Sequence, residues 1–349
     1  MKASILYEFA KPPEIETIDD PTCPSDGVII EIKACGVCRT DHHGWSGHHP
    51  AVQLPHIMGH ELAGYIVETG QDVNTFRVGD RVTVPFILGC GSCPDCMSGQ
   101  ATICDSQNVI GFTRQGAFAE YIAIPKADFN LVHLPEMISF TAAAALGCRM
   151  TTAYRGLIDR GMLGAGETAV IHGCGGVGIS AIMIAKAIGA RVIAVDVNEK
   201  ALALSKQVGA DDVINASQIE DVGAYIRDMT KGGAHVSMDA LGITTTFENS
   251  IRCLKKLGRH IQIGMPVDHH KIVDLPLYDL IYTRQLQISG SRGLSADGFP
   301  PLIDLIASGK IDATALVSAE IRLSDVPEAL ANMNNYAGAG VNIITDFNN

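Results

Sequence analysis

Cys90, Cys93, Cys96 and Cys104 fall within fifteen residues, in the run Gly-Cys-Gly-Ser-Cys-Pro-Asp-Cys-Met-Ser-Gly-Gln-Ala-Thr-Ile-Cys. Two residues separate each of the first three cysteines, and seven separate the third from the fourth. Short gaps let successive thiolates converge on one point, and the longer gap closes a loop around it. Four thiolates satisfy the tetrahedral preference of Zn²⁺ and leave no open position, so such a site pins a loop and does no chemistry. The alternative, free thiols or disulfides on a surface loop, leaves the metal-ligand spacing without a reason. The other cysteines are then available for different work.

At 349 residues the chain has room for about two domains. Apolar residues make up 47% and charged residues 18%, enough to bury substantial cores. A net charge of -12, with Lys and Arg nowhere concentrated into a patch, argues against a nucleic-acid partner. Lys2 is followed by only a few apolar residues before Glu8 and Lys11, so no secretory leader is expected here. The most apolar stretch, 179–195, is interrupted by Lys186 and Arg191, so no transmembrane helix is expected. Ten cysteines without a leader fit thiolates and metal better than disulfides, and the expected compartment is the cytoplasm.

The first third reads as β, with strand-like runs at 28–34, 63–68, 81–86 and 118–124 punctuated by Gly, Pro and Asp. An Ala-rich helix begins at Thr141. From Glu167 strands (168–172, 191–195, 212–214) alternate with helices (177–188, 199–208), which implies a parallel sheet with helices on both faces. Runs at 236–239, 261–263 and 287–289 supply its second half, and helices at 297–308 and 326–332 return to the first domain. The expected division is 1–152, with the cysteine lobe at about 89–105, then 153–287, then 288–349.

The strand ending at His172 runs into Gly173-Cys174-Gly175-Gly176-Val177-Gly178 and then into a helix. Gly173 permits a tight turn, Gly175 lets a pyrophosphate approach the backbone, and Gly178 lets helix and strand pack closely. The helix N-terminus would face the phosphates with unpaired N–H groups and its positive dipole end. Asp196 stands eighteen residues after the last glycine, at the end of the second strand. A carboxylate there accepts from ribose hydroxyls and repels a 2′-phosphate, so the expected cofactor is NAD. Cys174 lies in this turn, where it would face the cofactor without reacting.

Three further runs complete the pattern: Cys38-Arg39-Thr40-Asp41-His42-His43, Gly59-His60-Glu61-Leu62-Ala63-Gly64, and Gly147-Cys148-Arg149-Met150-Thr151-Thr152-Ala153-Tyr154. With the four-cysteine lobe and the glycine turn, all in order, the whole chain resembles the zinc-dependent alcohol dehydrogenases of the medium-chain dehydrogenase/reductase family. The resemblance implies a GroES-like β catalytic domain joined to a Rossmann domain, an α/β doubly wound parallel sheet. It implies Cys38, His60 and Cys148 as ligands of a second, catalytic zinc. Two thiolates and one imidazole leave a fourth position open to an alcohol oxygen, whose pKa the metal lowers.

The same resemblance places Glu61 close behind the zinc, not as a resting ligand but as a group able to exchange with substrate or water, and Asp41 behind a metal-bound imidazole. It makes Thr40 and His43 a proton relay, His43 releasing the proton to water near neutral pH. Arg39 is implied as a pyrophosphate contact, and Gly173, Gly175, Gly176, Val177, Gly178, Asp196, Lys200, Ile263 and Met265 as further cofactor-binding positions. Trp45, His49 and Phe86 are implied for the substrate pocket, with His48 and His49 giving its rim a polar character where yeast-type members carry an aromatic. His42 reads as a solvated loop histidine and Cys35 as a packed strand thiol. Where family members carry an Arg after the Gly that opens the last strand, Val341 follows Gly340 here. Arg292 beside Gly290 and Gly293 is either a replacement or a surface arginine.

The implied activity is NAD-linked oxidation of small primary or secondary alcohols, or the reverse, by a cytoplasmic homo-oligomer, a tetramer before a dimer. A polyol or amino-alcohol dehydrogenase is the nearest alternative, although polyol members tend to carry a carboxylate where this chain has Cys148. A zinc- and NAD-binding protein without catalysis is the third, against which the complete ligand set, relay and Glu61 all count.

Overall fold

The computed structural model describes residues 1–334 and 340–348. The chain divides into two compact units, one of Met1–Thr151 with the described residues from Gly293 onward, the other of Thr152–Arg292.

The first unit is built around the strand Val28–Val37. Glu61–Thr69 pairs antiparallel along one edge. The opposite edge is shared, Tyr121–Ile124 taking its first half and Val341–Asp346 its second. Arg81–Thr83 and Val132–His133 continue the sheet on one side, and Val317–Arg322 on the other. A smaller sheet joins Glu14–Thr17, Lys2–Leu6 and His56–Ile57. Alternating side chains such as Val28, Ile30, Ile32 and Leu62, Ile66 fill the core together with Phe112 and Phe118.

Several sequence-level expectations shift here. The strand predicted at 28–34 runs on to Val37, which carries Cys38 to the sheet end. The run predicted at 81–86 breaks into Arg81–Thr83 and Ile87–Leu88, because Pro85 has no N–H to give the ladder. The run at 118–124 keeps only Tyr121–Ile124, Phe118 lending its carbonyl to Ser4 instead. The N-terminal strands Lys2–Leu6 and Glu14–Thr17 were not expected at all. The Ala-rich helix is Phe140–Tyr154, but Gly147 interrupts it with φ 35° and ψ -148°.

The second unit holds a six-stranded, wholly parallel sheet in the order Asp212–Asn215, Arg191–Asp196, Thr168–His172, Ala234–Asp239, Leu254–Gln262, Gln287–Gly290. The chain starts at a central strand, builds outward to one side, then returns to build the other. The carboxyl ends of Thr168–His172 and Ala234–Asp239 therefore form the topological switch point where such sheets bind ligands. Strands buried on both faces need continuous apolar runs, and Val170, Ile171, Val192 and Ile193 are fully buried. No described helix is long and apolar enough to cross a membrane.

Candidate active site and metal centres

The sheet register of the first unit brings the scattered donors together. Gly36 pairs with Glu61 across two antiparallel strands, so Cys38, two residues on, and His60, one residue before, end side by side. Cys148 arrives from the interrupted helix, its Sγ 3.3 Å from that of Cys38. Cys38, His60, Glu61 and Cys148 are all buried, with donor atoms within 4.8 Å of one another. Cys38 also caps the helix Arg39–Trp45, so the stretch expected as a loop is helical.

Asp41 is fully buried and fixes this corner. Its carboxylate accepts from the Cys38 N–H at 2.8 Å, from the Gly59 N–H at 3.1 Å and from His60 Nδ1 at 2.9 Å. That bond orients the His60 ring and leaves Nε2 buried with no hydrogen-bond partner. An orphaned imidazole nitrogen beside two thiols is costly unless something binds it, and a zinc-sized cation fits this donor set. Burial presses His60 down, but Asp41 and Cys38 outweigh it and hold the imidazole well above its ordinary range. The two sulfurs share one contact, and with it His60 and Arg149 hold Cys38 well below its ordinary range against burial. Glu61 is pushed up to about 7 by burial, with Arg149 pulling the other way.

Thr40 places Oγ1 3.5 Å from Cys38 Sγ. His43, three residues on and on the same helical face, is half-buried; burial and then Arg39 hold its imidazole below the ordinary value. His42 differs from expectation: the helix turns it inward, 8% exposed, with its ring centroid 5.3 Å from that of Trp45. The Trp45 indole donates to the Lys11 carbonyl at 2.6 Å. Phe86 lies 5.7 Å from the His60 ring and Phe112 5.4 Å, while His49 rests on Phe112 at 4.5 Å. His48 is exposed and bonded to Ser46. Phe112 was missed in the sequence, where nothing but its apolar character marks it. Arg149 was missed too, although a charge beside Cys148 in an apolar helix was a usable signal. Cys35 is packed in its strand as expected, with no exposure.

In the lobe, Cys90 Sγ and Cys96 Sγ are 3.9 Å apart and Cys93 Sγ and Cys104 Sγ 3.8 Å, with all four within 4.8 Å of one another. Tetrahedral Zn–S bonds of about 2.3 Å require sulfur separations of roughly 3.8 Å, so the set matches a zinc site. Backbone N–H groups of Ser92 and Cys93 pull Cys90 down to about 6, readying a thiolate.

In the second unit Gly173 has φ 88°, and a Cβ on Gly178 would lie 1.9 Å from the Gly173 carbonyl oxygen. A Cβ on Gly175 would meet nothing, leaving open backbone at the start of the helix Gly176–Ala187, the cradle a pyrophosphate needs. Val177 is half-buried in its first turn. Asp196 accepts from the N–H groups of Cys174 at 2.6 Å, Val197 at 2.7 Å and Asn198 at 2.9 Å. Of about four lone-pair directions, one remains for a ribose hydroxyl. Cys174 does not face the cofactor cradle: it is 1% exposed with its thiol turned to the Val195 carbonyl, and burial pushes it up to about 12. Lys200 is exposed and stands in the first turn of the next helix. Ile263 follows the fifth sheet strand, its N–H bonded to the Asp239 carbonyl, and Met265 is exposed beyond it. Asp239, buried at the switch point, gathers the N–H groups of Leu241 and Gly242, Thr246 and Gln262, a role the sequence did not reveal. Arg39 and Arg292 are exposed, and Val341 is buried in its strand.

Residues 24–136 match the alcohol dehydrogenase GroES-like domain and residues 176–308 the zinc-binding dehydrogenase domain. An alcohol dehydrogenase of Geobacillus stearothermophilus is 34% identical over 93% of this chain and 95% of its own. An NAD-dependent alcohol dehydrogenase of Sulfurisphaera tokodaii is 33% identical over 99% of each. Among solved structures, the alcohol dehydrogenase of Thermus sp. ATN1 superposes with a TM-score of 0.91 at 27% identity, covering 99% of this chain and 100% of that one. With paired domains, ordered donors and near full-length relatives in agreement, the chain belongs to the zinc-dependent alcohol dehydrogenases of the medium-chain dehydrogenase/reductase family.

Proposed function

We propose that the chain is an NAD-dependent dehydrogenase of small primary or secondary alcohols, with two zinc ions per subunit. The observation that carries this reading is the buried trio Cys38, His60 and Cys148, with an unpartnered His60 Nε2. Zinc held there would supply Lewis acidity to an alcohol hydroxyl, and NAD on the Gly173–Gly178 turn would supply the hydride acceptor. Asp41 sets the ring of His60 and the start of the helix that carries Thr40 and His43. Thr40 holds the leaving proton at Oγ1, and His43, neutral at pH 7 because burial depresses it, accepts and releases protons at the edge. Phe86 and Phe112 exclude water from one side of the His60 ring. The lobe cysteines keep their loop folded. Free thiols throughout, among the described residues, fit a reducing cytoplasm, and we place a homotetramer there.

An NAD-reduction assay across primary, secondary, aromatic and polyol substrates tests the reading. Turnover of simple alcohols is expected, and activity confined to polyols would overturn the substrate class. Asp196→Gly should weaken NAD binding by about tenfold or more, because a charged acceptor is lost, while admitting NADP. A wild type that already prefers NADP would remove this role from Asp196.

A further inference from the structure

A chain of buried polar side chains runs through the second unit, where strands covered on both faces are expected to be apolar throughout. Ser237 and Asp239 alternate along one strand, and His260 and Gln262 along its neighbour. The parallel register sets Ser237 beside His260 and Asp239 beside Gln262, so all four lie on one face. The helix Thr244–Arg252 adds Ser250 from above. Ser237, Asp239, Ser250 and His260 are at most 1% exposed, and polar groups so buried persist only when hydrogen-bonded. The bonds allow one arrangement of protons. Gln262 Nε2 lies 3.0 Å from Asp239 Oδ2 and 2.9 Å from the Gly264 carbonyl oxygen, both acceptors, so the amide nitrogen donates to them. Gln262 Oε1 then faces His260 Nε2 at 3.1 Å and takes its proton from that side. Burial keeps the ring neutral, pushing His260 down to about 4. Nδ1 is therefore bare and accepts from the Ser250 hydroxyl at 2.8 Å, while Ser237 donates to Ser250 at 2.7 Å. The Cys253 thiol donates to Ser237 at 3.3 Å and closes the far end. Every proton points toward Asp239, and bonds aligned in this way polarise one another.

The chain ends where two loops meet. Asp239 Oδ1 holds the N–H groups of Leu241 and Gly242, and the Asp239 carbonyl holds those of Ile263 and Gly264. A Cβ on Gly264 would run into the Gly242 nitrogen, and one on Gly173 would meet Leu241 Cβ at 3.2 Å. Loop 240–242 is thus wedged between the glycine turn and loop 263–265. In the sheet the strand bearing Asp196 lies on the other side of Thr168–His172. With adenosine read at Asp196, the second half of a dinucleotide crosses the switch point toward these loops. Resting on the reading of the glycine turn as an NAD site, we propose that His260 and Gln262 are positioning residues for the nicotinamide half of the cofactor. They hold Asp239 in one orientation and, through it, fix the spacing of the two loops. Their action runs through Asp239 and the backbone, without contact to the cofactor.

The test is calorimetric binding of NAD and of ADP, which carries adenosine and pyrophosphate alone, to the full-length protein. Gln262→Met keeps the length of the side chain and removes both donors. It should weaken NAD about tenfold, as loss of a bond to a charged group does, and leave ADP within about twofold. His260→Leu removes the proton that orients the Gln262 amide and should weaken NAD about threefold, again sparing ADP. Added to Gln262→Met, it should do nothing more, because the chain is already cut. Equal losses for NAD and ADP would mark a general loosening of the unit and overturn the inference. Unchanged NAD binding in Gln262→Met, or additive losses in the double variant, would overturn it too. If neither variant folds, Ser250→Ala, which breaks the chain one bond further back, decides by the same split between NAD and ADP. A wild type that binds neither NAD nor ADP overturns the dinucleotide reading itself, and the inference with it.

Discussion

Two thiolate clusters occupy the first unit, and they are assembled in opposite ways. The lobe draws Cys90, Cys93, Cys96 and Cys104 from one short loop, partly exposed, with four sulfurs within 4.8 Å of one another. The other cluster draws Cys38, His60 and Cys148 from a strand end, a neighbouring strand and a broken helix, all buried. The first is local; the second depends on the sheet being in register, and on the proposed reading it alone keeps a position open to substrate. A closed site resists exchange and stabilises its loop, whereas an open one admits substrate and also chelators.

The sharpest break in that contrast comes from Cys38→Ala. Losing an open-site donor should cut turnover by about 10³-fold, the several kcal/mol that a metal lends to the developing charge. Elemental analysis should find the lobe zinc retained. Asp41→Asn probes the same site from behind, since it disturbs the ring of His60 and the Cys38 N–H together. Zinc affinity at the open site should fall by about 10- to 100-fold, measured by competition with a chelator, with no change at the lobe. His43→Gln leaves both metals alone, and zinc content should match the wild type. At neutral pH, hydride-transfer steps should slow by about one to two orders of magnitude, recovering as pH rises or an amine buffer is added. In the wild type the depressed His43 imidazole stays neutral through pH 7, so activity should fall only as pH drops through that lowered value. Wild-type rates with an unshifted profile would show that the proton leaves by another path. The smallest effect on chemistry should come from the lobe: Cys104→Ser should lower the melting temperature and release one zinc, while turnover per folded chain changes little. Loss of turnover without loss of fold would reverse the roles of the two clusters.

The same contrast explains what the sequence disclosed. The lobe is readable from spacing alone, because its ligands are neighbours along the chain. The parallel sheet was readable too, since strands buried on both faces must be continuously apolar and the glycine turn marks where the first one ends. Cys38, His60 and Cys148 were reached through family resemblance, because only the Gly36–Glu61 register and the Gly147 break bring them together. Register is a property of two strands, and neither strand states it by itself. His42 failed for a related reason: a polar run reads as solvated until the helix Arg39–Trp45 fixes which of its faces points inward. Cys174 failed because the turn's conformation, not its composition, directs the thiol toward Val195.

The most direct measurement follows zinc content and NAD reduction together while a bidentate chelator acts on the wild-type protein. Two zinc ions per chain are expected at the start. Activity should vanish as the first leaves, with the second zinc and the folded state unchanged, and added zinc should restore it. An active preparation holding one zinc per chain, or activity that survives loss of the faster-exchanging ion, would contradict the assignment of chemistry to the open cluster.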